Sequence, residues 1–381
     1  MELYIHIPFC MKKCEYCDFL SMVSGEKDRQ TYVDALCREI AYYGKMHGTE
    51  RIDTIYIGGG TPSVVGADAL IRLLECVKEK FYVNPLAEVT IELNPATIEK
   101  DGLHKLRENG VNRLSIGVQS TDNTELKLLG RIHTYEDFLR VYHDARAVGF
   151  QNINVDLMSS LPGQSVENYE RNLDRIIGLQ PEHISSYSLI LEEETPFYGL
   201  YGEHPELLPT EEEDREMYRM TKAKLEAAGY ERYEISNYAR PGFESKHNSG
   251  YWKRIPYLGL GLGASSFMNH ARWKNVSDLK EYLQIWDNCP QEPCLKEREE
   301  LTLQDEMAEY MYLGLRMKEG VTVKGFEEAF HRPFHDIYGD VISGLEQDGL
   351  LAIDGKGGEN ERVYLTDFGI DVSNYVFGKF I

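Results

Sequence analysis

Residues 1–22 read MELYIHIPFCMKKCEYCDFLSM, and the segment CMKKCEYC sets Cys10, Cys14 and Cys17 in the spacing C-x3-C-x2-C. Residues 3–7 have the composition of a strand, so the cysteines fall just after a first β-element. Phe19 stands two places after the last of them, where a fourth cysteine would fit. A structural zinc site asks for four ligands in a closed tetrahedron. The next cysteine, Cys37, falls in a predicted helix, and His6 completes a set only if its strand position gives it the reach. A 4Fe–4S cubane is usually held by four thiolates. Three leave one iron open to a small molecule. The competing reading is three buried or zinc-binding cysteines.

The composition narrows the setting. A chain of 381 residues with 42% hydrophobic content can bury a large core. The sequence has no run of ~18–20 apolar residues, the length a membrane span needs. The N-terminus lacks a basic region followed by an apolar stretch, which points to the cytoplasm. Seven cysteines, an odd and clustered set, argue against a disulfide framework and for metal ligation. The formal charge of −22 disfavours nucleic acid and anionic lipid as partners.

Working outward from the cysteines, strand-like runs at residues 3–7, 54–57, 88–93, 113–118, 153–157 and 184–190 alternate with helical patterns. The helices fall near 28–45, 66–81, 97–108, 122–147 and 165–178. This alternation predicts a parallel α/β architecture, a partial (β/α)6 TIM-like barrel or an open sheet. The unusual residues gather at one edge. Cys10–Cys17 follow the first strand and Gly58-Gly59-Gly60-Thr61-Pro62 the second. Glu92 and Asn94 end the third, Gln119 and Ser120 the fourth, and Asp156 lies on the fifth. Chemistry in parallel α/β folds collects at the C-terminal ends of the strands. There Gly59, Gly60 and Thr61 let backbone N–H groups approach a ligand. Glu92 and Asp156 suit an amine or hydroxyls, and Arg131 suits a carboxylate. Taken singly, each is an ordinary turn, strand-end or surface residue.

Three domains are expected: residues 1–200 as the barrel, 201–300 as an irregular extension, and 301–381 as a helical module closed by a hairpin. The module's helices fall at 304–317, 323–330 and 334–348, and the hairpin pairs 350–353 with 362–365. This resembles a winged helix, for which the acidic chain favours protein contact over DNA. In the extension lie HNSGYW (247–252) and a glycine-rich run, LGLGLG (258–263). His247 offers an imidazole as an axial haem ligand, and Tyr251 and Trp252 offer rings to cover a porphyrin face. The bland alternative is a packed loop. Cys289 and Cys294 bracket prolines and are a weaker metal candidate.

C-x3-C-x2-C after a first strand resembles the radical S-adenosylmethionine (SAM) superfamily. The stretches IGGGTPS, IELNPATI, RLSIGVQS, LGRIHT and SLPGQ resemble, in order and spacing, its oxygen-independent coproporphyrinogen oxidase family over residues 2–370. The resemblance implies a 4Fe–4S cluster on Cys10, Cys14 and Cys17, with SAM chelating the open iron and cleaved by an electron from the cluster. It implies SAM contacts at Tyr4, Tyr16, Gly59, Gly60, Thr61, Glu92, Gln119, Arg131 and Asp156. Met158-Ser159-Ser160 departs from the family's usual residues. Phe19 in place of a cysteine, and a start only two residues before the first strand, resemble the haem-chaperone branch, HemW. That branch carries H-N-x-x-Y-W, which implies haem at His247, Asn248, Tyr251 and Trp252. The expected partners are haem-accepting proteins, respiratory ones among them, and an electron donor for the cluster; a homodimer is compatible. No catalytic residue is assigned, and coproporphyrinogen dehydrogenation is the alternative activity. The distance in sequence between HNSGYW and the cysteines suggests that haem binds independently of the cluster.

Overall fold

The computed structural model describes residues 1–288 and 295–381, so Cys289 and Cys294 lie outside the described residues. Six parallel strands run in chain order: β1 (Glu2–Ile7), β2 (Arg51–Gly59), β3 (Tyr82–Leu93), β4 (Arg113–Gln119), β5 (Ile153–Ser159) and β6 (His183–Ser188). Helices connect them, beginning with α1 (Glu26–His47), as the alternation predicts. The sheet continues at both edges. β7 (Glu231–Arg232) and β8 (Asn237–Ala239) extend it beyond β6, and β8 runs antiparallel to β6. β9 (Tyr257–Leu260), β10 (Ser265–Met268), β11 (Ala271–Asn275) and β12 (Leu295–Glu300) extend it beyond β1. The full order among the described residues is β12-β11-β10-β9-β1-β2-β3-β4-β5-β6-β8-β7.

The strands alternate with period two, and the alternation sorts the residues. Leu3, Ile5, Ile7, Ile55, Ile57, Leu114, Ile116, Val118, Ile153, Val155 and Leu157 are all fully buried and belong to one hydrophobic core. Their neighbours in sequence are Glu2, Tyr4, His6, Thr54, Tyr56, Arg113, Ser115, Asn154 and Asp156. A parallel sheet covered by apolar layers on both faces has continuous hydrophobic strands. Here one face is polar because it surrounds a cleft.

β9 is a parallel seventh strand beside β1, in register Glu2↔Tyr257 to Ile5↔Leu260. It comes from the glycine-rich run, where glycine weakens the strand signal. The structure shows why the glycines are there. A Cβ on Gly259 would lie 2.1 Å from the Ser265 carbonyl oxygen, and one on Gly261 (φ +101°) 2.6 Å from the His6 carbonyl oxygen. The buried carboxylate of Glu39, on α1, ties this edge down by accepting from Gly261 N, Asn275 Nδ2 and the Tyr282 hydroxyl.

The helical pattern at 122–147 resolves into two helices, Asn123–Leu128 and Tyr135–Ala147, broken at Gly130 (φ +74°). The break is what lets Arg131 turn toward the cysteines. Residues from 303 onward begin with three helices, Leu303–Gly314, Val323–Phe330 and Phe334–Gln347. A hairpin of Leu351–Asp354 and Arg362–Leu365 follows, with a hydrophobic core of its own.

Candidate functional site

A cleft of about 490 Å³ opens at the C-terminal ends of the strands. Cys10, Cys14, Tyr16, Cys17, Gly59, Gly60, Thr61, Glu92, Gln119, Arg131 and Asp156 all line it. The cysteine loop is pinned from two sides: Glu15 N donates to Leu129 O (3.1 Å) and Phe197 N donates to Glu15 O (3.0 Å). The GGGT segment runs directly against it. Gly60 N donates to Ile7 O and Thr61 N to Phe9 O, and a Cβ on Gly60 would sit 2.8 Å from Phe9 O and 3.1 Å from Cys10 Sγ. A side chain there would displace the first cysteine.

The two carboxylates, Arg131 and Gln119 are each held by a neighbour. Tyr56 Oη donates to Glu92 Oε1 (2.7 Å) and Gly59 N to Glu92 Oε2 (3.0 Å). Burial still pushes the Glu92 carboxyl up to about 7. Asn154 Nδ2 donates to Asp156 Oδ1 (2.6 Å) and Ser115 Oγ to Oδ2 (3.5 Å), and burial raises this carboxyl too. Arg131 donates to Gly117 O (2.5 Å) and approaches Cys14 Sγ at 3.6 Å. Gln119 has φ +68°, next to a register irregularity in the β4–β5 pairing. This left-handed backbone is unfavourable for a side chain such as glutamine's. It accompanies a Gln119 Oε1 that accepts from Tyr187 Oη at 2.9 Å.

Among the described residues no three His, Cys, Asp or Glu side chains converge on a point that would hold a single metal ion. The three cysteines nonetheless share one cleft. A cubane's ligands bind different irons, so their sulfurs stand apart. Three thiols lining one cleft are a donor set that fits such a cluster. Cys37 and Cys76 line no part of the cleft; their sulfurs meet each other at 3.1 Å.

Tyr4 is absent from the cleft lining. Its hydroxyl donates to His6 Nδ1 (2.9 Å), while His6 Nε2 donates to Leu20 O (2.9 Å). It stacks behind Tyr56 with ring centroids 6.2 Å apart, and faces a second cavity of about 520 Å³.

HNSGYW forms the short helix Lys246–Trp252, and its side chains go in different directions. His247 is 1% exposed and stacks on Tyr56 at 5.0 Å with rings 19° apart. Its Nδ1 is 2.7 Å from Thr54 Oγ1 and its Nε2 2.8 Å from Tyr251 Oη. Burial, with the Arg113 charge adding to it, lowers the imidazole to about 3, so the ring is neutral. Both ring nitrogens are hydrogen-bonded in this conformation. Asn248 lines the cleft with the cysteines. Tyr251 and Trp252 line the second cavity with Tyr257, Phe267, Arg272 and Lys274. Folding thus brings a motif remote in sequence to the cysteine loop's own cleft.

Sequence reasoning missed Tyr56, Arg113, Asn154 and Tyr187, which also line the cleft. For Arg113 the signal was present in β4, where Arg113, Ser115, Gly117 and Gln119 alternate with Leu114, Ile116 and Val118.

The radical SAM superfamily model matches residues 4–176, and the HemN C-terminal domain model matches residues 301–372. The haem chaperone HemW of Lactococcus lactis is 38% identical over 378 residues, covering 99% of this chain and 96% of that protein. The chain belongs to the HemW family. HemW of Bacillus subtilis is 36% identical and covers 99% of this chain and 98% of its own length. Among solved structures, Escherichia coli coproporphyrinogen III oxidase (HemN), described as a radical SAM enzyme, superposes with a TM-score of 0.87 at 27% identity. It covers 100% of this chain and 89% of its own. The HemW family thus shares its fold with an enzyme, so fold alone does not decide function.

Proposed function

We propose that this protein is a haem chaperone. It carries a 4Fe–4S cluster with coordinated SAM, binds haem and transfers it to haem proteins. The observation that carries this reading is identity to HemW proteins of 36–38% along nearly the whole chain. The bound cluster supplies an open iron for SAM and a route for one electron. The chain's own residues hold and orient the ligands. Cys10, Cys14 and Cys17 are the thiolate ligands. Glu92 and Asp156 receive donors of SAM, Arg131 its carboxylate, and the flat backbone of Gly59, Gly60 and Thr61 admits it, with Gln119 and Tyr16 beside it. Tyr4 acts from behind, through Tyr56.

Haem engages the 246–252 helix, where Asn248 faces the cleft and Tyr251 and Trp252 face the second cavity. Ligation of haem iron by His247 requires release of its Thr54 or Tyr251 hydrogen bond. Haem-accepting proteins are the partners, respiratory ones among them, with a separate electron donor for the cluster. Among the described residues no helix is long and apolar enough to cross a membrane. The cytoplasm is the proposed location.

The test is haem titration of the reconstituted protein, followed by mixing with an apo haem protein. Transfer of the haem absorption to the acceptor supports the reading; a protein that takes up no haem refutes it.

A further inference from the structure

The cleft floor holds a cation with no short-range partner. Arg113 starts β4, is 1% exposed and lines the cleft. Its Nε is buried without a hydrogen-bond partner, and no ion pair engages its guanidinium among the described residues. The two carboxylates that share the cleft, Glu92 and Asp156, spend their oxygens on Tyr56, Gly59, Asn154 and Ser115. They act on Arg113 only through longer-range charge. A buried charge left without a hydrogen-bonded partner is costly, on the order of several kcal/mol. The floor has further unused capacity. The Asn237 Oδ1 atom is buried and unpartnered, and the Asn248 side chain makes no hydrogen bond among the described residues although it lines the same cleft. Arg131 already serves the rim, where it meets Cys14 and Gly117 O. Arg113 is therefore a more deeply buried cation than Arg131 in a cleft that also presents Lys12 and several carboxylates.

We propose that Arg113 and Asn248 form a carboxylate subsite on the floor of the cleft. Its occupant is a carboxylate of the guest: a haem propionate, or the methionyl carboxylate of SAM in place of its pairing with Arg131, and the experiment separates the two. The guanidinium fork matches a carboxylate in bidentate geometry, and the Asn248 amide adds a donor from the HNSGYW helix. The haem arm rests on the chaperone reading; the SAM arm does not.

The experiment measures binding to anaerobically reconstituted wild type, Arg113→Gln and Asn248→Asp. The ligands are haem, haem dimethyl ester with both propionates blocked, SAM, and decarboxylated SAM. Loss of one charged hydrogen-bonding partner is expected to weaken the carboxylate-bearing ligand about tenfold or more, while its blocked analogue binds all three proteins alike. The ligand whose advantage over its analogue collapses in the variants is the occupant. If both pairs keep wild-type discrimination in the variants, the subsite is refuted. Should Arg113→Gln fail to fold, judged by circular dichroism, Asn248→Asp decides alone, since it places a repelling carboxylate on the floor. Wild type that binds no haem refutes the chaperone reading, and the SAM pair then decides the subsite.

Discussion

On β4, Leu114, Ile116 and Val118 are fully buried in the hydrophobic core, while Arg113, Ser115, Gly117 and Gln119, one residue out of phase, line the cleft. The two faces share a backbone and differ in what surrounds them. The core face of β4 is packed by apolar neighbours in the hydrophobic core. The cleft face holds buried carboxylates, a buried arginine and polar atoms without partners. Burial pushes the Glu92 carboxyl in the cleft up to about 7, and that of Glu2, on the polar side of β1 beside His247, up to about 8. One face is built to hold the sheet together; the other carries free energy that a ligand can recover.

The sharpest way to separate the faces is at the cysteines. Replacing Cys10, Cys14 or Cys17 by alanine should abolish the cluster in anaerobic reconstitution while leaving the thermal transition of the cluster-free protein in place. Cys37→Ala and Cys76→Ala, whose sulfurs pair between helices outside the cleft, should reconstitute normally. Iron and sulfide analysis reads both, and zinc filling the site to the exclusion of iron would break the assignment. Next in size, Ile116→Ala should cost roughly 2–5 kcal/mol in urea unfolding, the range for emptying a packed core site. Ser115→Ala on the opposite face should cost less. Equal costs would dissolve the distinction between the faces.

A pH series sharpens it further. Glu2 is 2% exposed, with Thr54, Asp53, Glu88, the N-terminal amine and His247 around it. Its folded carboxyl titrates near 8 against 4.5 for the ordinary group. The folded state therefore binds the extra proton, and stability should fall as pH rises from about 4.5 to about 8 and then level off. Glu92 and Glu39, both near 7, act in the same direction. Glu2→Gln should flatten this slope by up to a few kcal/mol. Parallel curves for wild type and variant would show that the burial of Glu2 is offset elsewhere. Smaller again, Glu92→Gln, Arg131→Gln and Asp156→Asn should each weaken SAM binding by about 1–3 kcal/mol with the cluster intact. Unchanged affinity in all three would remove them from the SAM pocket.

The two faces also differ in how well they could be read beforehand. The apolar alternation of strands such as 113–118 and 153–157 announces the parallel sheet, and the cysteine spacing with GGGTP announces where its working edge lies. Three things stayed hidden because they depend on contacts remote in sequence. LGLGLG is a seventh parallel strand because β1 and Tyr32 press against its glycines. Arg131 reaches the cysteine loop because the chain breaks at Gly130. His247, which chemistry alone suggests as an open axial ligand, is packed on Tyr56 and bonded at both nitrogens. Its separation in sequence from the cysteines hid the fact that Asn248, the next residue, shares their cleft.

Because HemN shares this fold, the decisive measurement puts both readings in one vessel. Anaerobically reconstituted protein receives SAM, a reductant, haem and coproporphyrinogen, and then an apo haem protein as acceptor. The account predicts that haem is bound and appears on the acceptor while coproporphyrinogen persists. Conversion of coproporphyrinogen with release of carbon dioxide, by a protein that takes up no haem, would contradict it.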